Sequence, residues 1–349
     1  MPSYLQRIYR IDSIVTHSLT TTLSALGEFG LISRIAAEVT APESVITGIG
    51  DDAAVTALST GMQLLTSTDM LLEDVHFSRT WHDPYRLGRK SLAVSISDIA
   101  AMGGLPRWAL LSFAIPPKLP LDFVDDFMRG FLALASEHQV CLVGGDTCSS
   151  RSGLTISVTI MGEQYPDKIV RRSGAKPDDD IWVTGTLGDA ALGLQLLQRG
   201  EACMNDLLLS RLLDPSPRVS VAMALAEAGL ATAMVDVSDG VLADYGHIAE
   251  QSCVGGRICV VDLPLSAPFR EQVASLPSTA YQLALSGGED YELCFTAHRS
   301  NREKIVDCVK KSGIAVTRIG IVTSFTGVAV VNCDGSPYNT SANGFNHFT

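Results

Sequence analysis

Aspartate-tipped turns built on Gly or Ser recur along the whole chain, at Gly48-Ile-Gly-Asp-Asp52, Ser67-Thr-Asp69, Ser97-Asp98, Val143-Gly-Gly-Asp-Thr147, Asp236-Val-Ser-Asp-Gly240 and Gly287-Gly-Glu-Asp290. Each adjoins a segment that reads as strand or helix. That places the carboxylates at element ends, where folds commonly assemble a site from distant pieces of sequence. One Asp-Gly pair is ordinary turn chemistry. So many acids, with almost no bases beside them, point instead to bound metal. At 349 residues, 46% hydrophobic and 18% charged, the chain exceeds one ordinary core and reads as two packed domains. Residues 1–24 read as a loose extension, 25–166 as one domain and 167–349 as the second. The junction falls near Tyr165-Pro166, ahead of the basic, turn-forming segment Arg171 to Pro177.

Periodicity gives an α/β or α+β reading in both halves. Leu31 to Val39 is spaced as a short helix stopped by Pro42. Met62 to Thr68 alternates as a strand running into Asp69. Asp83-Pro84 is an N-cap followed by proline at the first helical position, opening a helix to about Met102. On that helix Ser91, Ser95 and Asp98 form one small polar stripe facing a cleft. Strands follow at Trp108 to Ile115, Val140 to Val143 and Leu154 to Met161, with a helix from Leu121 to Glu137. The second half alternates again. Its strands are Ile181 to Thr184, Met234 to Val237, Arg257 to Val261, Tyr291 to Phe295, Val316 to Val322 and Val328 to Val331. Its helices are Gly188 to Arg199, one after Pro217, Leu242 to Glu250, Thr279 to Leu285 and Asn301 to Lys311. No short fixed period suggests a solenoid.

A formal charge of −12 offers no basic face to a polyanion, so nucleic acid and anionic membranes are poor partners. The eight cysteines include no Cys-x-x-Cys pair, and several sit in apolar runs; they read as buried, reduced thiols of a cytoplasmic protein. No apolar run approaches the roughly 18 residues of a membrane span. Gly48-x-Gly50-x-x-Ala53 mimics a dinucleotide fingerprint, but Asp51 and Asp52 occupy the place of the pyrophosphate. Gly-Lys, His-Glu-x-x-His and Gly-x-Ser-x-Gly are absent. Carboxylate and magnesium chemistry is what remains, because Mg²⁺ takes oxygen ligands from one or two carboxylates plus substrate phosphates.

The residues differ in how far they stand out from ordinary roles. Ser67-Thr68-Asp69 suits a cap or a ligand set equally. Asp98, in an apolar-rich helix, is costly to bury unless paired or metal-bound. His76 and Glu289 read as a loop histidine and a turn acid, Arg172 as a surface charge suited to phosphate, and Asp178-Asp-Asp180 as solvated surface.

Taken in order, Gly27-Glu-Phe-Gly-Leu-Ile32, Gly48-Ile-Gly-Asp-Asp52, Ser67-Thr-Asp69, Ser97-Asp-Ile-Ala-Ala-Met-Gly103, Gly144-Gly-Asp-Thr147, Arg172-Ser-Gly-Ala-Lys-Pro177, Val183-Thr-Gly-Thr186, Ser238-Asp-Gly240 and Leu285-Ser-Gly-Gly-Glu-Asp-Tyr-Glu-Leu293 resemble the thiamine-monophosphate kinase family. The resemblance runs from about Gly27 to the final residues. It implies the two-domain fold of the aminoimidazole ribonucleotide synthetase superfamily: an N-terminal mixed sheet that pairs with a second subunit's into a barrel, a C-terminal α/β domain, and hence a homodimer. It also implies ATP as co-substrate, several Mg²⁺ ions and thiamine monophosphate as acceptor. Metal ligands carry over onto Asp52, Ser67, Thr68, Asp69, Asp98, Asp146, Asp236 and Asp239, with Asp51 a further candidate. Nucleotide contacts carry over onto Gly145, Asp146, Arg172 and Ser238, and substrate contacts onto His76, Glu289 and the tail aromatic Phe345. No general base is expected, since a phosphate acceptor with a second pKa near 6 is already an oxyanion at neutral pH. The alternatives are an aminoimidazole ribonucleotide synthetase-like ATP user of the same superfamily and a non-catalytic Mg-nucleotide sensor.

Overall fold

A computed structural model describes residues 22–201, 207–274 and 277–340. The first half is built on one four-stranded sheet backed by two long helices. Its elements are α1 (Leu23–Ala37), β1 (Val45–Thr47), β2 (Val55–Thr56), β3 (Gln63–Leu72), α2 (Pro84–Ala101), β4 (Leu105–Ile115), α3 (Leu121–Glu137), β5 (Cys141–Ser149) and β6 (Thr155–Gln164). The strand order is β3-β6-β4-β5, antiparallel except for the parallel pair β4–β5, and β1 and β2 pair separately. Alternation buries Ile156, Val158 and Ile160 of β6 under the helices, while Leu64 and Met70 on the opposite face of β3 stay about half exposed.

The second half comprises β7 (Asp179–Thr184), α4 (Asp189–Arg199), α5 (Leu207–Leu213), α6 (Val219–Glu227), β8 (Ala233–Val237), α7 (Val241–Gln251), β9 (Gly255–Cys259), α8 (Ala267–Val273), α9 (Pro277–Ser286), β10 (Glu292–His298), α10 (Arg302–Val309), β11 (Val316–Thr323) and β12 (Gly327–Val331). Its six-stranded sheet has the order β12-β9-β11-β7-β10-β8, in which only β12–β9 is parallel. The α+β form of the expectation therefore describes this half.

Helix α2 joins the two halves. Asp83 caps it by accepting the Arg86 N–H at 2.9 Å, as its sequence predicts. From it Arg89 reaches Asp214 beyond α5 at 2.9 Å, Lys90 reaches the Leu212 carbonyl at 3.0 Å, and Ser97 reaches Asp236 on β8 at 2.7 Å. Its other side packs against α3 at backbone contact. A Cβ on Gly88 would lie 2.0 Å from the Phe127 carbonyl oxygen, and one on Gly130 would lie 1.9 Å from that of Tyr85.

Several expectations need correction. Val143-Gly-Gly-Asp-Thr147 is not a turn but the continuation of β5. Gly145, at φ 155, runs so close to β4 that a Cβ would meet the Leu111 carbonyl oxygen at 1.8 Å. Likewise Ser67-Thr-Asp69 lies within β3 and Asp98 within α2, not at their ends. The helix expected from Leu31 begins at Leu23, with a kink at Gly27. Asp179 and Asp180 are buried at the start of β7, not solvated. Asp180 accepts two hydrogen bonds from Arg302 at 2.6 and 2.7 Å, and Asp179 accepts from Thr232 at 2.8 Å. Of the cysteines, Cys141 and Cys294 are buried, but Cys148, Cys253 and Cys333 are exposed; all described cysteines are free. Among the described residues no helix is long and apolar enough to cross a membrane.

The α2–α3 contact gives the first prediction. Gly88→Ala or Gly130→Ala forces the helices apart against backbone, which no rotamer change relieves, and each costs about 2 kcal/mol or more. Urea unfolding of the two variants measures it.

Candidate active site

Three carboxylates from three elements meet around α2: Asp69 on β3, Asp98 on α2 and Asp236 on β8. Each is held by a serine. Ser95 donates to Asp69 at 2.7 Å, Ser97 donates to Asp236 at 2.7 Å, and Ser67 donates to Asp98. The serines serve where basic partners would otherwise stand. Burial raises the pKa of Asp69 to about 6, with the charge of Asp98 adding to it and the Ser95 hydrogen bond opposing. Burial also raises Asp236, reinforced by Asp98 and Asp69, and raises Asp98 against the pull of Ser67 and Arg172. Arg172, itself exposed, is the cation whose charge acts on both Asp98 and Asp236.

The Asp236-Val-Ser-Asp-Gly240 and Gly287-Gly-Glu-Asp290 loops fasten to each other. The Glu289 N–H donates to the Ser238 carbonyl and the Tyr291 N–H to that of Val237, both at 2.8 Å. This docking holds Glu289 and Tyr291 at φ 68 and 47, left-handed conformations that side chains rarely adopt and that persist only where the surroundings fix them. Asp244 of α7 supports the loop from below, accepting the Ser238 and Asp239 N–H groups at 3.1 Å.

Beside these loops a cavity of about 730 Å³ opens between the halves. Thr68, Asp69, His76, Ser238, Asp239 and Glu289 line it, together with Trp81, His82 and Tyr291. His76 is half-buried, and its Nδ1 accepts the Leu72 N–H at 3.1 Å. Glu289 is paired: the fully buried Lys90 donates to it at 2.8 Å.

Thr68 borders the cavity, yet strand alternation sets its side chain on the opposite face of β3 from Ser67 and Asp69, and its hydroxyl meets that of Thr159 at 3.0 Å. Other expected residues stand apart. Asp51 and Asp52 are exposed in the loop between β1 and β2, where the Asp52 N–H donates to Asp51 at 2.8 Å. Gly145 and Asp146 lie exposed on β5, at the far edge of the sheet from β3; three strand spacings put them ~14 Å from Asp69. Phe345 lies outside the described residues.

Lys90 and His82 escaped the sequence reading. Lys90 carries a usable signal, because it falls on the stripe of Leu87, Ser91 and Val94, where a lysine must find a buried partner. His82, immediately before the N-cap, carries none.

The donor set fits magnesium. It is all oxygen, anionic and mutually repulsive, and its only opposing side-chain cation named above is Arg172. Among the described residues no three carboxylate, imidazole or thiol groups lie close enough together to hold a metal ion by themselves, Asp69, Asp98 and Asp236 included. That suits an ion shared with a ligand's phosphates better than one enclosed by protein alone.

The comparisons with known proteins bear on the fold and the family. Residues 50–164 match the family described as AIR synthase related protein, N-terminal domain, and residues 176–331 match the corresponding C-terminal domain. Two domains with an acid-lined cleft between them thus define a protein of the AIR synthase related class. A thiamine-monophosphate kinase of Escherichia coli O157:H7 is 38% identical over 93% of this chain and 99% of its own length. One of Bacillus subtilis (strain 168) is 36% identical over 93% of this chain and 100% of its own. The crystal structure of the thiamine-monophosphate kinase of Stenotrophomonas maltophilia K279a superposes with a TM-score of 0.80 at 40% identity, covering 89% of this chain and 98% of that one. AaThiL complexed with AMPPCP and TMP superposes at 0.74 with 34% identity, covering 95% and 100%. The chain belongs to the thiamine-monophosphate kinase family.

The raised carboxylates fix a pH dependence. A folded-state pKa above the unfolded value near 3.8 contributes stability that is complete below about pH 4 and lost as pH rises through the folded value, about 6 for Asp69. Protein free of ligand and metal therefore loses stability between about pH 4 and pH 6 on account of Asp69. Asp69→Asn flattens that part of the curve and stabilises the metal-free protein at pH 8 by about 2 kcal/mol. Mg²⁺, if these carboxylates hold it, should raise the melting temperature at pH 8 more than at pH 5. Calorimetry across pH measures all three effects.

Proposed function

We propose that the chain transfers the terminal phosphoryl group of ATP to the phosphate of thiamine monophosphate, giving ADP and thiamine diphosphate, as a cytoplasmic homodimer. The observation that carries this reading is the interdomain cavity, with unneutralised carboxylates on one side and the Lys90–Glu289 pair on another. Its family membership supports it, as does the bound pair in AaThiL, an ATP analogue and TMP, which we take as thiamine monophosphate.

Two polyanions must approach each other here. At ~4 Å two like unit charges cost on the order of 4 kcal/mol at an effective dielectric near 20. When bound, Mg²⁺ would supply the countercharge, held by Asp69, Asp98 and Asp236, by Asp239 on the cavity lining and by Asp52 of the exposed loop between β1 and β2. Ser67, which also fixes Asp98, Thr68 and Asp146 complete the assigned ligand set. Arg172 and Ser238 are assigned to the nucleotide phosphates, with Gly145 and Asp146. The acceptor needs no base, and none of the residues assigned here acts as one. The protein's work is alignment and exclusion of water. Glu289, fixed by its backbone and by Lys90, offers the acceptor's cationic ring a carboxylate; Trp81 and Tyr291 offer aromatic faces, and His76 a polar edge. Phe345 is assigned to the same ligand.

Asp146, ~14 Å from Asp69 along its own sheet, is too far to share a metal ion with it. We assign it to a site completed by a second copy, whose sheet meets this one across the exposed edges and the half-open face bearing Leu64 and Met70.

Purified protein with ATP, Mg²⁺ and thiamine monophosphate should yield ADP and thiamine diphosphate; ATP binding without turnover overturns the proposal in favour of a sensor. Asp69→Asn and Asp146→Asn each lower the rate by ~100-fold or more as homodimers. Mixing the two variants restores about a quarter of wild-type activity if one wild-type site forms in each mixed dimer. No restoration places both residues in one subunit's site.

A further inference from the structure

The segment from Arg171 to Ala175 carries Arg172, assigned above to the nucleotide phosphates, and it has neither helix nor strand of its own. Arg171 to Gly174 are exposed. Side-chain packing therefore does little to hold this loop, and hydrogen bonds to its backbone must do so. Two elements supply them. The Arg171 carbonyl accepts the Met234 N–H at 3.0 Å on the open side of β8, the edge strand of its sheet. Gly174, at φ 133, lies so close to the chain entering β8 that a Cβ would meet the Thr232 carbonyl oxygen at 2.4 Å.

Between these two points the loop is closed by Ser252, the C-cap of α7. Its hydroxyl accepts the Gly174 and Ala175 N–H groups, both at 3.1 Å, and donates to the Arg172 carbonyl at 3.2 Å. A serine hydroxyl has one proton and two lone pairs, so its whole capacity goes to this one loop. Ser252 is itself fixed, since its N–H donates to the Ile248 carbonyl at 3.0 Å. Met234 stands two residues, ~7 Å, before Asp236 along β8. The docked loop thus brings Arg172 near the acids, and its charge acts on both Asp98 and Asp236. The other end of α7 starts directly after Ser238-Asp-Gly240, so one helix of 11 residues anchors Ser238 at its start and the Arg172 loop at its end.

We infer that Ser252 is a positioning residue for nucleotide binding, whose hydroxyl closes the turn from Arg172 to Ala175 and so aims the Arg172 guanidinium at the phosphates of ATP. It touches neither substrate and acts through Arg172. This rests on the nucleotide assignment within the kinase reading. A long side chain on a loose backbone binds weakly, because the loop must then be ordered on binding. Water can replace the hydroxyl at these near-surface groups, so its removal loosens the loop more than it destabilises the fold.

The test is a double-mutant cycle on binding of Mg-ATP, measured by titration calorimetry, with KM for both substrates alongside. Ser252→Ala should weaken ATP about fivefold in Kd and KM, leave KM for thiamine monophosphate within about twofold, and melt within about 3 °C of wild type. Ser252→Thr, which keeps the hydroxyl, should hold ATP within about twofold of wild type. With Arg172→Ala already in place, Ser252→Ala should change ATP affinity by less than about twofold, since its effect runs through the missing guanidinium. Unchanged ATP affinity in Ser252→Ala, the same loss with and without Arg172, or an equal rise in KM for both substrates overturns the inference and leaves the kinase intact. Wild type that binds ATP without turning over thiamine monophosphate removes the kinase, and the calorimetric cycle still decides the role of Ser252. Wild type that binds no ATP removes both. Should Ser252→Ala not fold, Ser252→Cys, with its weaker donor and acceptor, takes its place in the cycle.

Discussion

Bringing carboxylates of like charge together in a partly dry cleft is the constraint on which this architecture turns. Asp69, Asp98 and Asp236 come from two domains and three elements, and serines rather than basic residues hold them. An arginine among them would relieve the repulsion and cancel the field that, under the proposed function, would attract a divalent ion. A serine fixes a carboxylate oxygen at hydrogen-bonding distance while leaving most of its charge uncompensated. Holding these acids together costs the protein stability, because burial and mutual repulsion raise their pKa values; under the proposed function a cation with its phosphates would return that energy on binding.

The rest of the fold supplies rigidity to tolerate that stress. The glycine contact of α2 and α3 fixes the helix that bears Ser95, Ser97 and Asp98. The Glu292 carboxylate, buried beneath the cavity loop, is gripped by Arg218 and by Thr184, the latter at 2.6 Å. Lys90 crosses from the N-terminal half to the Glu289 loop of the C-terminal half. The charged pairs are thus spent on structure around the site, and the acids within it are left to the ligand.

Much of this was legible in the sequence, for local reasons. Asp83-Pro84 announces the start of α2 because capping and proline geometry act within one turn. The strands β7, β8 and β10 carry short apolar cores and start within two residues of where pattern puts them, although β10 runs three residues further, to His298. The failures are non-local. Gly144-Gly-Asp-Thr has turn composition, but its glycines answer to the closeness of β4, which no window on the sequence reveals. Asp179 and Asp180 look solvated until Arg302 and Thr232 arrive from more than 50 residues away. Ser67, Thr68 and Asp69 are adjacent in sequence, yet the alternation of β3 turns Thr68 from the other two. Ser252 gives no sign in the sequence of the Arg172 loop that it grips from 80 residues away, a contact that exists only after folding.

Helix α2 is encoded in the first half of the gene product but finishes the second half's chemistry, through Asp214, Leu212, Glu289 and Asp236. The two halves are consequently not interchangeable modules. A chimera that joined this N-terminal half to a superfamily relative's C-terminal half would retain both sheets and both cores, yet meet a foreign surface at every polar group of that helix. Recombination within the superfamily is therefore expected to succeed only where the breakpoints carry α2 together with the two loops that receive it.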